Sequence, residues 1–227
     1  GVTGMNEQPY VRMTLAWLDS QNIRYEAADD LSRFHIHSGQ RFHTFTRRIP
    51  GDFSSAAFPL CAAAIAGGTV TVEGLEMTDT QGDKRVVDIL RDMGARIETP
   101  AHSVTVAGAP LHAVTVDMNE IPDALPMLAV TACFASGTTI LHNVAQARIK
   151  ETDRIAVMAA ELSKLGANVR ERPDGLEITG GGLRGGHVHG HGDHRIVMAM
   201  TVAGFAADSP VTVDTAEAAD ITFPTFW

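Results

Sequence analysis

The chain has 227 residues, 44% apolar and 20% charged, the balance of a folded globular protein with a sizeable core rather than a disordered chain or a disulfide-stapled mini-protein. Lysine and arginine number 18 against 27 acids, a formal charge of −9 with no long basic run. That balance argues against a nucleic-acid partner and against an anionic membrane surface, while a small anion needs only a local cluster of cations. Cys61 and Cys133 lie in Ala-rich apolar runs and read as buried thiols of a reducing cytoplasm. No apolar stretch reaches the roughly 18 residues of a membrane helix, and no secretory signal is visible. The chain opens on Gly1-Val2-Thr3 and stops at Phe226-Trp227, so both ends read as cut.

In chain order, Val11, Thr14, Leu15 and Leu18 form a helical stripe, and 23–27 with 33–37 read as a hairpin. Arg48-Ile49-Pro50-Gly51 suits either a domain boundary or a simple loop. Residues 56–72 then predict a helix of small residues, a glycine, and a β-branched strand. The same pattern returns at 125–141 and again from Ile196 into Pro210-Val211-Thr212-Val213, a repeat of about 70 residues. Between these copies, 84–93 and 152–165 carry apolar residues at helical spacing and end in Gly94 and Gly166, where a C-cap favours glycine. A hairpin follows each, the second across Pro173-Asp174-Gly175. With a leading strand at 112–117, one unit reads β-α-β-α-β-β, an α/β alternation that makes parallel strands with right-handed crossovers. The chain therefore begins in mid-unit, and its third copy stops before a second helix and hairpin.

Each unit places polar residues ahead of its first helix: Asp52 with Ser54 and Ser55, then Asp123, then Asp193-His194-Arg195. Such residues either cap the helix or build an anion site on its free N–H groups. Three in register point to a shared surface. Arg148-Ile149-Lys150-Glu151-Thr152-Asp153-Arg154 gathers three cations at a predicted helix start, where the dipole repels them unless an anion is to be held. Glu151 and Arg154 also suit a plain i,i+3 ion pair. His189-Gly190-His191-Gly192-Asp193-His194 matches a binuclear zinc pattern, but no histidine follows it to complete a ligand set. Residues 187–191 instead read as a strand with alternate side chains solvated.

Gly51-Asp52-Phe53-Ser54-Ser55-Ala56-Ala57, Gln81-Gly82-Asp83, Asp117-Met118-Asn119-Glu120-Ile121-Pro122-Asp123-Ala124, Lys150-Glu151-Thr152-Asp153-Arg154 and Asp193-His194-Arg195 together resemble the 5-enolpyruvylshikimate-3-phosphate synthases, in that family's order and across essentially the whole chain. The resemblance implies the enolpyruvyl transferase fold: two inside-out α/β barrels, each of three β-α-β-α-β-β units about a pseudo-threefold axis, with the active site between them. Residues 1–49 would end the N-terminal domain, and 50–227 would form the C-terminal domain with its third unit incomplete. The rest of the N-terminal half would be a missing part of a monomeric cytoplasmic parent.

The implied reaction moves the enolpyruvyl group of phosphoenolpyruvate to the 5-hydroxyl of shikimate 3-phosphate, releasing phosphate, on the route to chorismate and aromatic amino acids. It implies no cofactor and no metal. By motif position, Asp123 is the base for the hydroxyl and Glu151 the acid for the methylene carbon. Lys150 touches shikimate 3-phosphate, Tyr10 and Gln146 lie at positions binding that same substrate, and Arg154 with Arg195 clamps phosphoenolpyruvate beside His194. Two residues depart from the family pattern. Ile221 stands where many relatives have Lys before Thr-Phe-Pro, and Glu7 where Ser is frequent; neither contact carries over. The alternatives are UDP-N-acetylglucosamine enolpyruvyl transferase, which lacks the Lys-Glu-Thr-Asp-Arg and Asp-His-Arg pair, and a non-catalytic half-cleft that only binds.

Overall fold

A computed structural model describes residues 1–227. Three central helices organise it: α2 (Phe53–Ala66), α4 (Leu125–Cys133) and α6 (His194–Ala203). Each touches the other two. Their sequences explain why. Every residue of α4 is buried, and α2 and α6 bury eight each. Alanines recur along all three buried faces, between larger side chains such as Phe58, Leu128 and Met198. These helices share one continuous apolar core, and the three small-residue copies seen in the sequence are their sequences.

The sheets lie outside this helical centre. The second unit is complete. Its strands β6 (Thr115–Asp117), β7 (Thr138–His142), β8 (Asn168–Arg172) and β9 (Gly175–Thr179) are ordered β6-β7-β9-β8. β6 and β7 run parallel, as a crossover through α4 requires, while the hairpin strands run antiparallel. Its second helix, α5 (Arg154–Lys164), comes between β7 and the hairpin in the chain and packs on the hairpin strands. The first unit pairs β3 (Thr69–Glu73) with the hairpin β4 (Arg96–Glu98) and β5 (Ser103–Ala107), in the order β3-β5-β4 around α3 (Arg85–Asp92). The first unit has no leading strand ahead of α2, where 37–52 form no regular element. The six-element unit is therefore realised in full only once. The third unit contributes β10 (Gly186–Val188), parallel to β11 (Val211–Val213), around α6.

α1 (Gln8–Ser20) and the hairpin β1 (Tyr25–Ala27) with β2 (Phe34–Ile36) stand apart. α1 buries no residue completely. Its N-terminal end is nevertheless fixed to the rest of the chain, with Pro9 packed at Gly82 and the Tyr10 hydroxyl bonded to Asp83.

Candidate active site

Three helix approaches converge on one face: the 3-10 turn Pro122–Ala124 before α4, residues 150–153 before α5, and the cap of α6. The start of α1 lies across them. Arg154, the first residue of α5, is the centre and has no exposed surface. Its Nε donates to Asp193 Oδ2 at 2.9 Å, one terminal nitrogen to Asp123 Oδ1 at 2.9 Å, and the other to Glu151 Oε2 at 2.5 Å and Asp193 Oδ1 at 3.2 Å. Three carboxylates thus stabilise a buried guanidinium that the dipole of α5 opposes. Asp153 caps α5 through the Ala156 N–H, and Asp193 caps α6 through the Arg195 N–H. One arginine therefore ties the starts of two helices to the acid ahead of a third.

These contacts set the protonation states. Burial works against ionisation of Asp123, but Arg195, Arg154 and Lys150 outweigh it and hold the carboxyl below its ordinary range. The same contest at Asp193 is decided by Arg154, the Arg195 N–H and Thr152, again downward. Asp123 is ionised at neutral pH and free to accept a proton, although its cations weaken its basicity. His194 is buried, with Nδ1 3.9 Å from Glu151 Oε1. Burial and then Arg195 lower its pKa against the pull of Asp193 and Glu151, leaving a neutral ring at neutral pH.

Lys150 reaches Glu7 at 2.9 Å and lies 3.8 Å from Asp123. Arg195 pairs with Asp123 Oδ2 at 3.1 Å; the rest of its guanidinium takes no protein partner. Glu151 is the most open of these acids, with 48% of its side chain exposed. Tyr10 donates to Asp83 Oδ2 at 3.2 Å, and Gln146 donates to the Asn119 carbonyl at 3.1 Å. Burial and then Asp83 push the Tyr10 phenol far upward, so it remains a hydroxyl.

All eight residues expected at the site lie on or beside this face, but two are not open to a ligand as expected. Arg154 is closed off by its three carboxylates, of which Glu151 is the most exposed. His194 stands behind Glu151 rather than in the opening. The three acids in register also differ. Asp52 is a plain cap for the Ser54 and Ser55 N–H groups, Asp193 caps and binds Arg154, and Asp123 caps nothing. The i,i+3 pair of Glu151 and Arg154 exists and belongs to the site.

The histidine strand ends at Val188. His189 then bonds Asp214 at 2.5 Å, and His191, in left-handed backbone, bonds Glu161 at 2.9 Å. Both side chains pair with these acids and stay exposed to solvent. No group of three or more His, Cys, Asp or Glu side chains is arranged to hold a metal ion.

Sequence reasoning assigned no role to Asp83 or Asn119, and it grouped Arg148 with the cations that would hold an anion. Asp83 is buried, accepts from the Tyr10 and Ser54 hydroxyls, and keeps Oδ1 without a partner. Arg148 pins the 150–153 stretch to the second hairpin through Asp153, Glu171 and the Arg172 and Pro173 carbonyls. Asp83 stands in the Gln-Gly-Asp motif, which was the available signal. Arg148 was visible only as one more cation.

The profile of the EPSP synthase (3-phosphoshikimate 1-carboxyvinyltransferase) family matches residues 1–227. The chain belongs to the EPSP synthase family. It is similar to the 3-phosphoshikimate 1-carboxyvinyltransferase of Acetivibrio thermocellus, 51% identical over 225 residues that cover 99% of this chain and 53% of the relative. It is also similar to that of Ruminiclostridium cellulolyticum, at 49% with the same coverage. Among solved structures, EPSP synthase of Acinetobacter baumannii superposes with a TM-score of 0.83 at 29% identity, over 94% of this chain and 52% of that one. The chain thus spans about half the length of the EPSP synthases it matches. No helix is long and apolar enough to cross a membrane.

Proposed function

We propose that this chain is the C-terminal part of a 3-phosphoshikimate 1-carboxyvinyltransferase, with 1–49 ending one domain and 50–227 forming most of the next. The observation that carries the reading is the pairing of an ionised, cation-held Asp123 with an open Glu151 through one buried arginine. Asp123 accepts the proton of the 5-hydroxyl of shikimate 3-phosphate as its oxygen attacks C2 of phosphoenolpyruvate. Glu151 protonates the methylene carbon. The tetrahedral adduct then loses phosphate and returns that proton, leaving the enol ether. Two groups of different environment divide acid and base work, as such chemistry requires.

Lys150, Tyr10 and Gln146 line the side that takes shikimate 3-phosphate. Arg195 offers its unpaired guanidinium edge to phosphoenolpyruvate, a two-donor fork matched to a carboxylate. Neutral His194 supports Glu151 without competing for the proton. The test is phosphate release when the full-length protein is mixed with shikimate 3-phosphate and phosphoenolpyruvate. Release is expected. Its absence, with turnover of UDP-N-acetylglucosamine instead, assigns the protein to the sister reaction.

A further inference from the structure

Glu7 immediately precedes α1 in left-handed backbone, φ 57 and ψ 38, a conformation a non-glycine residue keeps only when its surroundings enforce it. Capping does not explain it, because the side chain makes no bond to the free N–H groups of α1. A carboxylate at a helix start is ordinarily drawn to those groups. This one turns away and crosses to Lys150, 143 residues along the chain. Its two oxygens lie 2.9 and 3.0 Å from Nζ. The next nearest carboxylate to that ammonium is Asp123, at 3.8 Å.

Asn119 holds the segment beside the ion pair. Asn119 donates from its side-chain amide to Asn6 at 2.8 Å and accepts the Glu7 N–H at 3.3 Å. Both side chains of the ion pair keep 24% of their surface exposed, so a ligand can reach and separate them. At such exposure a charge-assisted contact shifts an equilibrium by roughly three- to tenfold.

We propose that Glu7 is a tethered counter-ion that competes with the substrate's anionic group for Lys150 and thereby sets the selectivity of this part of the site. This rests on the functional reading above. A phosphorylated ligand that takes Lys150 must break the pair and then lie beside a freed carboxylate. A ligand presenting a hydroxyl there can instead donate to Glu7 and leave the pair intact. Glu7 therefore narrows the preference for a phosphate over a hydroxyl at this point, and Lys150 mediates the whole effect.

The test uses the full-length protein, calorimetric titration, and the variants Glu7→Gln, Glu7→Ser and Lys150→Met. Both Glu7 variants are expected to bind shikimate 3-phosphate roughly three- to tenfold more tightly, with shikimate itself unchanged or weaker. The gain is expected to vanish when either is combined with Lys150→Met. Unchanged or weaker binding of shikimate 3-phosphate in both Glu7 variants, with melting temperature retained, overturns the proposal, as does a gain that survives Lys150→Met. If the unsubstituted protein releases no phosphate from its two substrates, the functional reading fails separately. Inorganic phosphate titrated against the unsubstituted protein and Glu7→Gln then still decides: tighter binding in the variant supports the counter-ion, and equal binding overturns it.

Discussion

At the scale of single residues, the acid and the buried carboxyl give opposite tests. Glu151 touches Arg154 and faces solvent, so Glu151→Gln retains shape and a hydrogen-bonding group but loses the transferable proton. A fall in kcat of roughly 10²-fold or more is expected, with Michaelis constants little changed. A raised phosphoenolpyruvate constant at intact kcat in steady-state assays would make Glu151 only a holder of Arg154. Asp83 concerns stability. Burial raises its pKa first, against the Ser54 hydroxyl, with Asp123 adding to the rise and Arg195 and Tyr10 opposing it. A folded pKa above the unfolded one means that the folded chain binds the proton better. Stability is then lost as pH rises from the ordinary carboxylate value through the folded one. Asp83→Asn mimics the protonated acid and is expected to flatten that loss. Asp83→Ala strands two hydroxyls and is expected to melt earlier at every pH. Melting curves between about pH 4 and 8 check both. The identities of Asp123, Glu151 and Arg195 were legible in the sequence because their motifs are local. The closure of Arg154 was not, because its partners come from three separate helix approaches.

At the scale of elements, the sequence carried helices further than strands. Small residues at helical spacing marked α2, α4 and α6, and glycines after α3 and α5 marked their ends. The leading strand of the first unit was expected by symmetry and is absent, since pairing needs a neighbour that periodicity cannot supply. The histidine run alternated like a strand, but Asp214 and Glu161 draw its second half away. Where two elements meet closely, a glycine is diagnostic. A Cβ on Gly180, just past β9, would sit 1.6 Å from the Ala135 carbonyl oxygen beyond the end of α4. Backbone lies on both sides, so neither can yield cheaply. Gly180→Ala is expected to cost at least about 1–3 kcal/mol, the scale of an overpacked contact, read as a lower denaturant midpoint at constant slope. An unchanged midpoint would show that the hairpin shifts freely on α4.

At the scale of the whole molecule, the repeat of about 70 residues made the threefold helical centre legible. The placement of α1 was not, because Glu7 to Lys150 and Tyr10 to Asp83 join distant segments with no periodic signal. That placement brings one more acid to the site. Lys150, Arg154 and Arg195 face Glu7, Asp123, Glu151 and Asp193, so every one of these cations already has an acidic partner before any substrate arrives. Arg154 is already satisfied, and Lys150 and Arg195 each hold a carboxylate. Two polyanionic substrates need preorganised positive charge where negative charge collects in the transition state, and this face does not hold enough. On the proposed function, the further cations would have to come from the other half of a full-length enzyme. The 227-residue chain alone is therefore expected to release no phosphate from shikimate 3-phosphate and phosphoenolpyruvate. It is expected to bind each far more weakly than the full-length protein, with circular dichroism confirming that it folds. Turnover by the folded chain would show that Lys150 and Arg195 suffice, and would remove the charge argument for a second half.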